Sequence, residues 1–243
     1  LKEKGLAIED QEALVVFFDE ETKLNPCIVQ KKDGSFLYST SDLATLKYKG
    51  EVLNIRKAVY VTDERQQDHF RQVFKISELL GEPYNIEKAH VWFGIMRFGN
   101  GVILSSRGGN IIRLVDLLDE AKAQVKKVID EKNPDIPEDE KNEIAESVGI
   151  GAIKYFDLSQ NRTSAITFEW DKVLSFEGNT GPYLQYTYVR VMSIFRKLAS
   201  ENVTFNLNVS NILYNNVSDA ERELALNLFK LPVVATKAYE SYR

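Results

Sequence analysis

The chain is poor in the residues that build covalent and metal-held frameworks. It has one cysteine, Cys27, and two histidines, His69 and His90. A single thiol excludes an internal disulfide and a Cys-x-x-Cys metal site, and two imidazoles leave few ligands for zinc. We therefore predict that the protein itself provides no metal site and that it works in a reducing, cytoplasmic location.

Long apolar runs and a large charge imbalance are also missing. No stretch of about 18 apolar residues occurs, so the sequence predicts no membrane span. The formal net charge of −5 argues against non-specific binding of nucleic acid. A hydrophobic fraction of 44% is typical of a globular protein.

The two ends of the 243-residue chain lack the marks of natural termini. The first residue is Leu1, no signal peptide is visible, and the final AYESYR has the pattern of a helix interior. We expect a piece of a longer protein, cut at both ends.

Strand and helix patterns alternate through the first 110 residues, and helical patterns dominate the rest. Short β-rich apolar runs predict strands at 13–18, 27–31, 57–63 and 90–96, and FGNG at 98–101 predicts a hairpin turn with 102–104 as its return strand. Capped or amphipathic stretches predict helices after residue 38, over 64–81, from 111 to 132, after Pro137, from 181 and from 218. The predicted fold class is an α/β part with a parallel sheet, followed by an all-α region.

The stretch VTDERQQDHF, residues 61–70, joins a buried strand to a helix. Ligands bind beyond the carboxyl ends of strands in open α/β sheets, and Asp63 ends such a strand. Gln66 and His69 lie on the helical stripe predicted to face inward. A plainer interpretation is that Asp63 caps the helix and His69 packs in a satisfied core.

The stretch LYSTSDL, residues 37–43, places Tyr38 and Asp42 on either side of a Ser/Thr-rich turn into a helix. Ser39, Thr40 or Ser41 would cap that helix. A carboxylate beside a tyrosine in a crevice can hold a cationic group, and it pairs best with a guanidinium. The alternative is an aspartate that merely stabilises the helix dipole.

The glycine-rich stretch GVILSSRGGN, residues 101–110, lacks the lysine of a Walker loop and the G-x-G-x-x-G spacing. Its Ser105, Ser106 and Arg107, with the backbone of Gly108 and Gly109, can form a nest for phosphate oxygens. A plain connecting loop has the same composition.

The stretch FEGNTGPYLQYTYVR, residues 176–190, places Tyr183, Tyr186, Tyr188 and Arg190 on one predicted helix. Aromatic and basic groups in this arrangement can stack on nucleic-acid bases. An aromatic stripe at helical spacing is more often part of a core, and the pattern alone favours that interpretation.

The order of these motifs along the chain resembles the arginyl-tRNA synthetases, which are class I aminoacyl-tRNA synthetases. The resemblance covers most of residues 28–190. It rests on DGSFLYSTSDLA, VYVTDERQQDHF, HVWFGIMRFGNGVILSSRGGNIIRLVDLLDEA and VGIGAIKYFDLSQNRTSAITFEWDKVLSFEGNTGPYLQYTYVR, in the family's order. It implies a Rossmann-type catalytic domain over 1–178, with a signature loop at 103–109, and the start of a helical anticodon-binding domain over 179–243.

The resemblance also implies roles for single residues. Tyr38, Asp42 and Gln66 would bind arginine, with Asp42 facing the guanidinium. Residues of two motifs would contact ATP: Asp63, His69, Gly108 and Gly109. The signature loop would supply the catalytic Ser105, Ser106 and Arg107, and the later helix would contact tRNA through Tyr183, Tyr186 and Arg190.

The sequence departs from the family pattern in three places. Ile103, Leu104 and Ser105 stand where many relatives carry a lysine, which leaves Arg107 as the local cation of the loop. Ser41 stands where many relatives carry an arginine. The His-x-Gly-His signature is absent from the 243 residues, and we expect it upstream of Leu1.

The implied activity is ligation of L-arginine to its tRNA through an arginyl-adenylate, with ATP and Mg²⁺, by a cytoplasmic monomer. We expect the chain alone to be inactive, because half of the nucleotide-binding fold lies outside it. Two alternatives remain: a non-catalytic tRNA-binding or regulatory module that descends from a synthetase, and a class I synthetase for another amino acid.

Overall fold

The computed structural model describes residues 1–99, 113–203 and 217–242. It contains an N-terminal unit, Leu1–Ile95, and a C-terminal unit, Met96–Arg243. The predicted return strand 102–104 lies outside the described residues. No helix within the described ranges is long and apolar enough to span a membrane.

The N-terminal unit begins with a three-stranded antiparallel sheet. Its strands are β1 (Ile8–Asp10), β2 (Ala13–Val16) and β3 (Cys27–Gln30), in the order β1-β2-β3. Val16 and Val29 point into the core and are almost fully buried. The strands predicted at 13–18 and 27–31 are thus confirmed.

Helix α1 (Tyr38–Glu51) follows β3. The expected Ser/Thr cap is wrong, because Leu37 is the N-cap residue and provides no side-chain hydrogen bond. The hydroxyl of Ser39 instead donates to the Ile28 carbonyl at 3.1 Å, and that of Thr40 donates to the Val29 carbonyl. Tertiary acceptors on the neighbouring strand have outcompeted the local backbone of the helix.

The N-terminal unit also contains a parallel strand pair, β4 (Lys57–Asp63) and β5 (Glu87–Phe93), in register from Lys57↔Glu87 to Asp63↔Phe93. Parallel strands require a crossover. A 3₁₀ turn (Glu64–Gln66) and helix α2 (Gln67–Leu80) provide it. The buried side chains of α1 and α2 pack against the strands: Leu43, Leu46, Val73, Ile76 and Leu80.

The single strand predicted at 90–96 is two strands in the structure, and the boundary between the two units lies between them. Strand β5 ends at Phe93, and a separate strand β6 (Met96–Phe98) pairs in parallel with β7 (Ile166–Phe168) in the C-terminal unit. Gly94 and Ile95 separate the two strands. Apolar composition predicted extended structure correctly but did not show which partner each segment has.

The C-terminal unit is mainly helical. Its helices are α3 (Leu114–Lys132), α4 (Glu138–Ser159), α5 (Trp170–Val173), α6 (Gly181–Ser200) and α7 (Asp219–Ser241). As predicted, Asn133 ends α3, Pro137 precedes α4, and a helix follows Ser218. The structure adds that Ser218 caps α7 in a capping box with Glu221. The predicted fold class, α/β followed by helices, is confirmed.

The core of the C-terminal unit lies between α3, α4 and the β6–β7 pair. Its central side chain, Phe168, is 1% exposed and contacts the rings of Phe98, Phe156 and Trp170 edge-on. The apolar run VGIGAIKYFDLS, residues 148–159, predicts a buried segment. That prediction is confirmed for Gly149, Ala152 and Ile153 and is wrong for the exposed end of α4.

Candidate active site

Two residues that the sequence placed in separate motifs are in contact. Asp42 lies in the second turn of α1, and His69 lies in the first turn of α2. The His69 Nε2 and Asp42 Oδ2 atoms are 2.6 Å apart. Their side chains are 27% and 29% exposed, so the pair lies at the surface of a crevice and is accessible from solvent.

Aromatic rings pack next to the Asp42–His69 pair. The His69 ring stands edge-on to Phe70, whose ring lies 4.8 Å from that of Tyr60 and 4.7 Å from that of His90. His90 Nε2 lies 2.7 Å from the Thr62 hydroxyl at the carboxyl end of the parallel strands. These contacts limit the orientations open to His69, so its hydrogen bond to Asp42 is positioned by packing.

A pocket of about 270 Å³ opens beside His69. Its walls include Cys27, Tyr38, Ser39 and Gln72. Burial raises the pKa of the Cys27 thiol, which keeps it neutral and a poor nucleophile. Its volume lies just below the range of about 300 to 1,000 Å³ that is usual for small-ligand sites.

The expected arginine residues differ in exposure. Tyr38 is 86% exposed at the mouth of the pocket, whereas Asp42 is partly buried. Gln66 is exposed at the end of the 3₁₀ turn, so its predicted place on an inward-facing stripe is wrong. The reason is that α2 begins one residue later, and the 3₁₀ turn breaks the helical period that the prediction assumed.

Asp63 has the capping role that the plainer interpretation predicted. Its carboxylate accepts hydrogen bonds from the Arg65 backbone N–H at 2.8 Å and from the Arg65 guanidinium at 2.7 and 2.9 Å. The bonds from the guanidinium, followed by the backbone bond, lower the pKa of Asp63. The carboxylate is therefore ionised near neutral pH.

Two residues near the pair carried no functional signal in the sequence. Tyr60 occupies an alternating strand pattern in which a tyrosine is unremarkable, yet its ring lies next to Phe70 and its pKa is raised to about 12 by burial and then by the charge of Asp42. Gln72 lines the pocket and donates to the Asn25 carbonyl at 2.8 Å. A search for polar residues one helical turn beyond His69 would have found Gln72.

The expected phosphate loop cannot be compared with this geometry. Ser105, Ser106, Arg107, Gly108 and Gly109 lie outside the described residues. Within the described ranges, no group of three or more His, Cys, Asp or Glu side chains could hold a metal ion.

The aromatic residues of α6 are exposed in the C-terminal unit. Tyr183, Tyr186 and Tyr188 are 42%, 47% and 65% exposed, so the expectation that they belong to a core is wrong for the described chain. The Arg190 guanidinium lies 5.7 Å from the centre of the Tyr186 ring. The helix therefore presents rings and a cation to its surroundings.

Comparison with known proteins gives one family and a set of relatives. Residues 1–170 match the family described as tRNA synthetases class I (R), catalytic domain. The arginine–tRNA ligase of Fusobacterium nucleatum subsp. nucleatum is 53% identical over 243 residues, which are 100% of this chain and 42% of that protein. The arginine–tRNA ligase of Laribacter hongkongensis is 45% identical over 94% of this chain and 39% of that protein.

Solved structures show the same likeness. The arginyl-tRNA synthetase of Thermus thermophilus superposes with a TM-score of 0.78 at 22% identity, over 99% of this chain and 45% of that one. The arginyl-tRNA synthetase from Plasmodium falciparum gives a TM-score of 0.72 at 27% identity, over 98% of this chain and 40% of that one. This chain therefore spans about two fifths of the length of the curated relatives it matches.

Proposed function

Because this chain belongs to the family of class I tRNA synthetases (R), we propose that its protein ligates L-arginine to the arginine tRNA through an arginyl-adenylate formed from ATP. The observation that carries the proposal is the partly buried Asp42 carboxylate, which is hydrogen-bonded to His69 in the wall of the 270 Å³ pocket. Its one hydrogen bond within the described residues goes to His69 through Oδ2.

The Asp42 carboxylate gives the pocket its selectivity. A guanidinium can form two parallel hydrogen bonds to a carboxylate, which an ammonium cannot do. A neutral side chain offers the carboxylate no charged donors in exchange for the His69 imidazole, so the pocket would select strongly against it. Tyr38 stands at the mouth of the same pocket, and we propose that it and Gln66 contact the rest of the amino acid.

His69 occupies the acceptor that the substrate needs. The incoming guanidinium must replace the imidazole on Asp42 Oδ2 or share the carboxylate with it. His69 lies in the first turn of α2, shortly after the carboxyl end of β4, where Asp63 lies and where nucleotides bind in open α/β sheets. We propose that Asp63 and His69 border the ATP in this way.

The chemistry proposed is in-line displacement at the α-phosphate of ATP by the arginine carboxylate. ATP supplies the adenylyl group, and pyrophosphate leaves as the bond between the α- and β-phosphates breaks; Mg²⁺ on the phosphates would stabilise the charge of the leaving group. The protein positions the two reactants and provides positive charge, for which the loop with Ser105, Ser106, Arg107, Gly108 and Gly109 is the proposed source.

The helical region is proposed as the tRNA-binding part. Tyr183, Tyr186 and Arg190 are exposed on α6, and exposed rings beside a guanidinium can stack on bases. We keep the proposed boundary between a catalytic domain, 1–178, and the start of an anticodon-binding domain, 179–243. The protein is further proposed to act as a cytoplasmic monomer.

The test is arginine-dependent ATP–pyrophosphate exchange by the full-length protein and its Asp42→Asn variant. The substitution keeps the size of the side chain and removes its charge, so we expect kcat/KM for arginine to fall about 100-fold or more. The KM for ATP should change by less than about threefold. The matched control is Asp68→Asn, which changes a 74%-exposed carboxylate on α2 and should leave exchange unchanged.

Two outcomes would contradict the proposal. A twofold change in arginine KM for Asp42→Asn would argue against a guanidinium pocket and for another amino acid. Absence of exchange in the full-length protein, with tRNA binding retained, would favour the non-catalytic tRNA-binding module. The chain alone is expected to give no exchange, and clear exchange by it would refute that part.

A further inference from the structure

The hydroxyl of Tyr60 is a buried hydrogen-bond donor to which the proposed function has assigned no role. It is shielded from solvent and has no hydrogen-bond partner among the residues that the structure describes. An unpaired buried hydroxyl costs about 1–3 kcal/mol. A phenylalanine would make the same ring contacts without that cost, so the hydroxyl calls for an explanation.

The surroundings of Tyr60 hold its ring tightly. The rings of Phe70 and Phe74 lie 4.8 and 5.6 Å away on α2, and the Lys49 ammonium lies 4.5 Å from the ring centre on α1. The phenol therefore has little freedom to turn toward another acceptor. The anionic group that acts on it is Asp42, also on α1, whose charge raises the pKa of Tyr60 after the larger effect of burial.

Asp42 has acceptor capacity to spare. An ionised carboxylate offers about four lone-pair positions. Only Oδ2 takes part in a hydrogen bond within the described residues, and its partner is His69. The Tyr60 ring contacts Phe70, the Phe70 ring contacts His69, and His69 is hydrogen-bonded to Asp42, so the unpaired donor and the carboxylate lie in the same region of the N-terminal unit.

We propose that Tyr60 is a positioning residue of the arginine pocket, whose phenolic O–H donates to the Asp42 carboxylate once a guanidinium has replaced His69 there. This inference rests on the proposed function, because it needs a cationic substrate at Asp42. The hydrogen bond from Tyr60 orients the Asp42 carboxylate toward the substrate. It also replaces the hydrogen bond that the carboxylate loses when His69 is displaced.

The energetic consequence is specific. An interaction that exists only in the substrate-bound state strengthens binding by its whole net contribution, because none of it is present beforehand. One such hydrogen bond to a carboxylate corresponds to a change of about 10-fold or more in affinity. The hydroxyl should therefore matter for arginine and not for the stability of the free protein.

The experiment compares the full-length protein with its Tyr60→Phe variant in arginine-dependent ATP–pyrophosphate exchange. We expect the arginine KM to rise about 10-fold or more, while kcat and the ATP KM stay within about twofold. The thermal midpoint without arginine should stay the same or rise, since an unpaired hydroxyl is removed. The control is Tyr48→Phe on α1, where a 53%-exposed tyrosine should show no effect on either measurement.

Each result is decisive. An unchanged arginine KM overturns the inference, and so does a fall in thermal midpoint with equal losses for arginine and ATP, which is the signature of a structural role. If Asp42→Asn abolishes arginine use while Tyr60→Phe does not affect it, the proposed function stands and only the Tyr60 inference fails. If Asp42→Asn leaves arginine use intact, both fail together.

Discussion

In the N-terminal unit, side-chain hydroxyls of α1 donate to carbonyls of β3, and the polar residues of α1 and α2 hydrogen-bond to each other at the crevice. In the C-terminal unit, α3, α4 and α6 meet through small residues at backbone distance. A Cβ atom added at Gly149 would lie 2.9 Å from the Ala121 carbonyl carbon, and one added at Gly181 would lie 2.9 Å from the Ala152 Cα.

The difference explains where the candidate chemistry lies. Hydrogen bonds between side chains in a crevice can be exchanged for hydrogen bonds to a ligand, as the Asp42–His69 bond illustrates. Contacts between helix backbones have no such groups to offer. They keep the helices close together, and the rings of α6 are left on its outer surface.

Gly149→Ala should give the largest loss of stability among the three changes that test this contrast. The added methyl meets the Ala121 carbonyl and the Lys122 N–H, which are backbone atoms at 2.9 to 3.0 Å, so α3 and α4 must separate. We expect a loss of about 2 kcal/mol despite the higher helix propensity of alanine. Faster amide hydrogen exchange in α3 and α4 of the full-length protein would measure it.

Gly151→Ala is the matched control for that change. It lies two residues away on α4, and its added methyl would meet only the Gln185 side-chain amide, at 3.0 Å. Because that side chain can move, we expect no loss beyond about 0.5 kcal/mol. Equal losses for both variants would refute the view that backbone approach at Gly149 holds the C-terminal unit.

Asp63→Ala should have a smaller effect in the N-terminal unit. It removes the acceptor for the Arg65 backbone and guanidinium donors, and lost caps cost about 1 kcal/mol. Because the pKa of Asp63 lies below its ordinary value of 3.8, its contribution is present above that value and disappears as the pH falls. Amide hydrogen exchange in α2 would measure the stability difference between the wild type and Asp63→Ala, and this difference should be smaller at pH 3 than at pH 7.

The control for Asp63 is Asp68→Ala on the same helix. Asp68 is 74% exposed and has one 3.3 Å contact to Arg71, so its loss should cost less than about 0.3 kcal/mol. If Asp68→Ala is as costly as Asp63→Ala, the cap is not what stabilises the start of α2.

Tyr60→Phe should have the smallest effect on stability near neutral pH and a visible one in alkali. The phenol ionises at about 10 in the unfolded chain and keeps its proton to about 12 in the folded one. A folded pKa above the unfolded value means that stability falls as the pH rises from 10 to 12. Denaturation midpoints over this range should decline less in Tyr60→Phe than in the wild type.

The fall of the denaturation midpoint between pH 10 and 12 also has a control variant. Tyr48→Phe removes an exposed phenol from α1 and should leave the decline as it is in the wild type. If the denaturation midpoint declines equally with pH in the wild type, Tyr60→Phe and Tyr48→Phe, the Tyr60 phenol is not protected from ionisation. Tyr60 would then not be a buried polar group of the crevice.

Much of the fold was predictable because local patterns carry it. Short β-rich and apolar runs located β2, β3 and β4, and the helical patterns from Gly181 and from Ser218 located α6 and α7. The residue pattern also led to the family, which the comparisons confirm. The expected cap at Ser39 failed because a tertiary hydrogen bond outweighed a local rule, and the expected place of Gln66 failed because a 3₁₀ turn breaks the helical period.

The candidate site was predictable in composition and only partly in geometry. Asp42 and His69 were each singled out, but for different ligands, and their contact was not foreseen. Tyr60 was missed because a tyrosine in a strand pattern looks like any apolar residue until its hydroxyl is found without an acceptor.

The sequence by itself determined the order of strands and helices, the family, and the set of side chains available for chemistry, because period, caps and motifs act over a few neighbouring residues. Only the tertiary structure decided that Asp42 meets His69, 27 residues along the chain, and that the Tyr60 hydroxyl is buried behind them. The physical reason is that such contacts depend on how α1 and α2 pack against the strands, which no local pattern specifies.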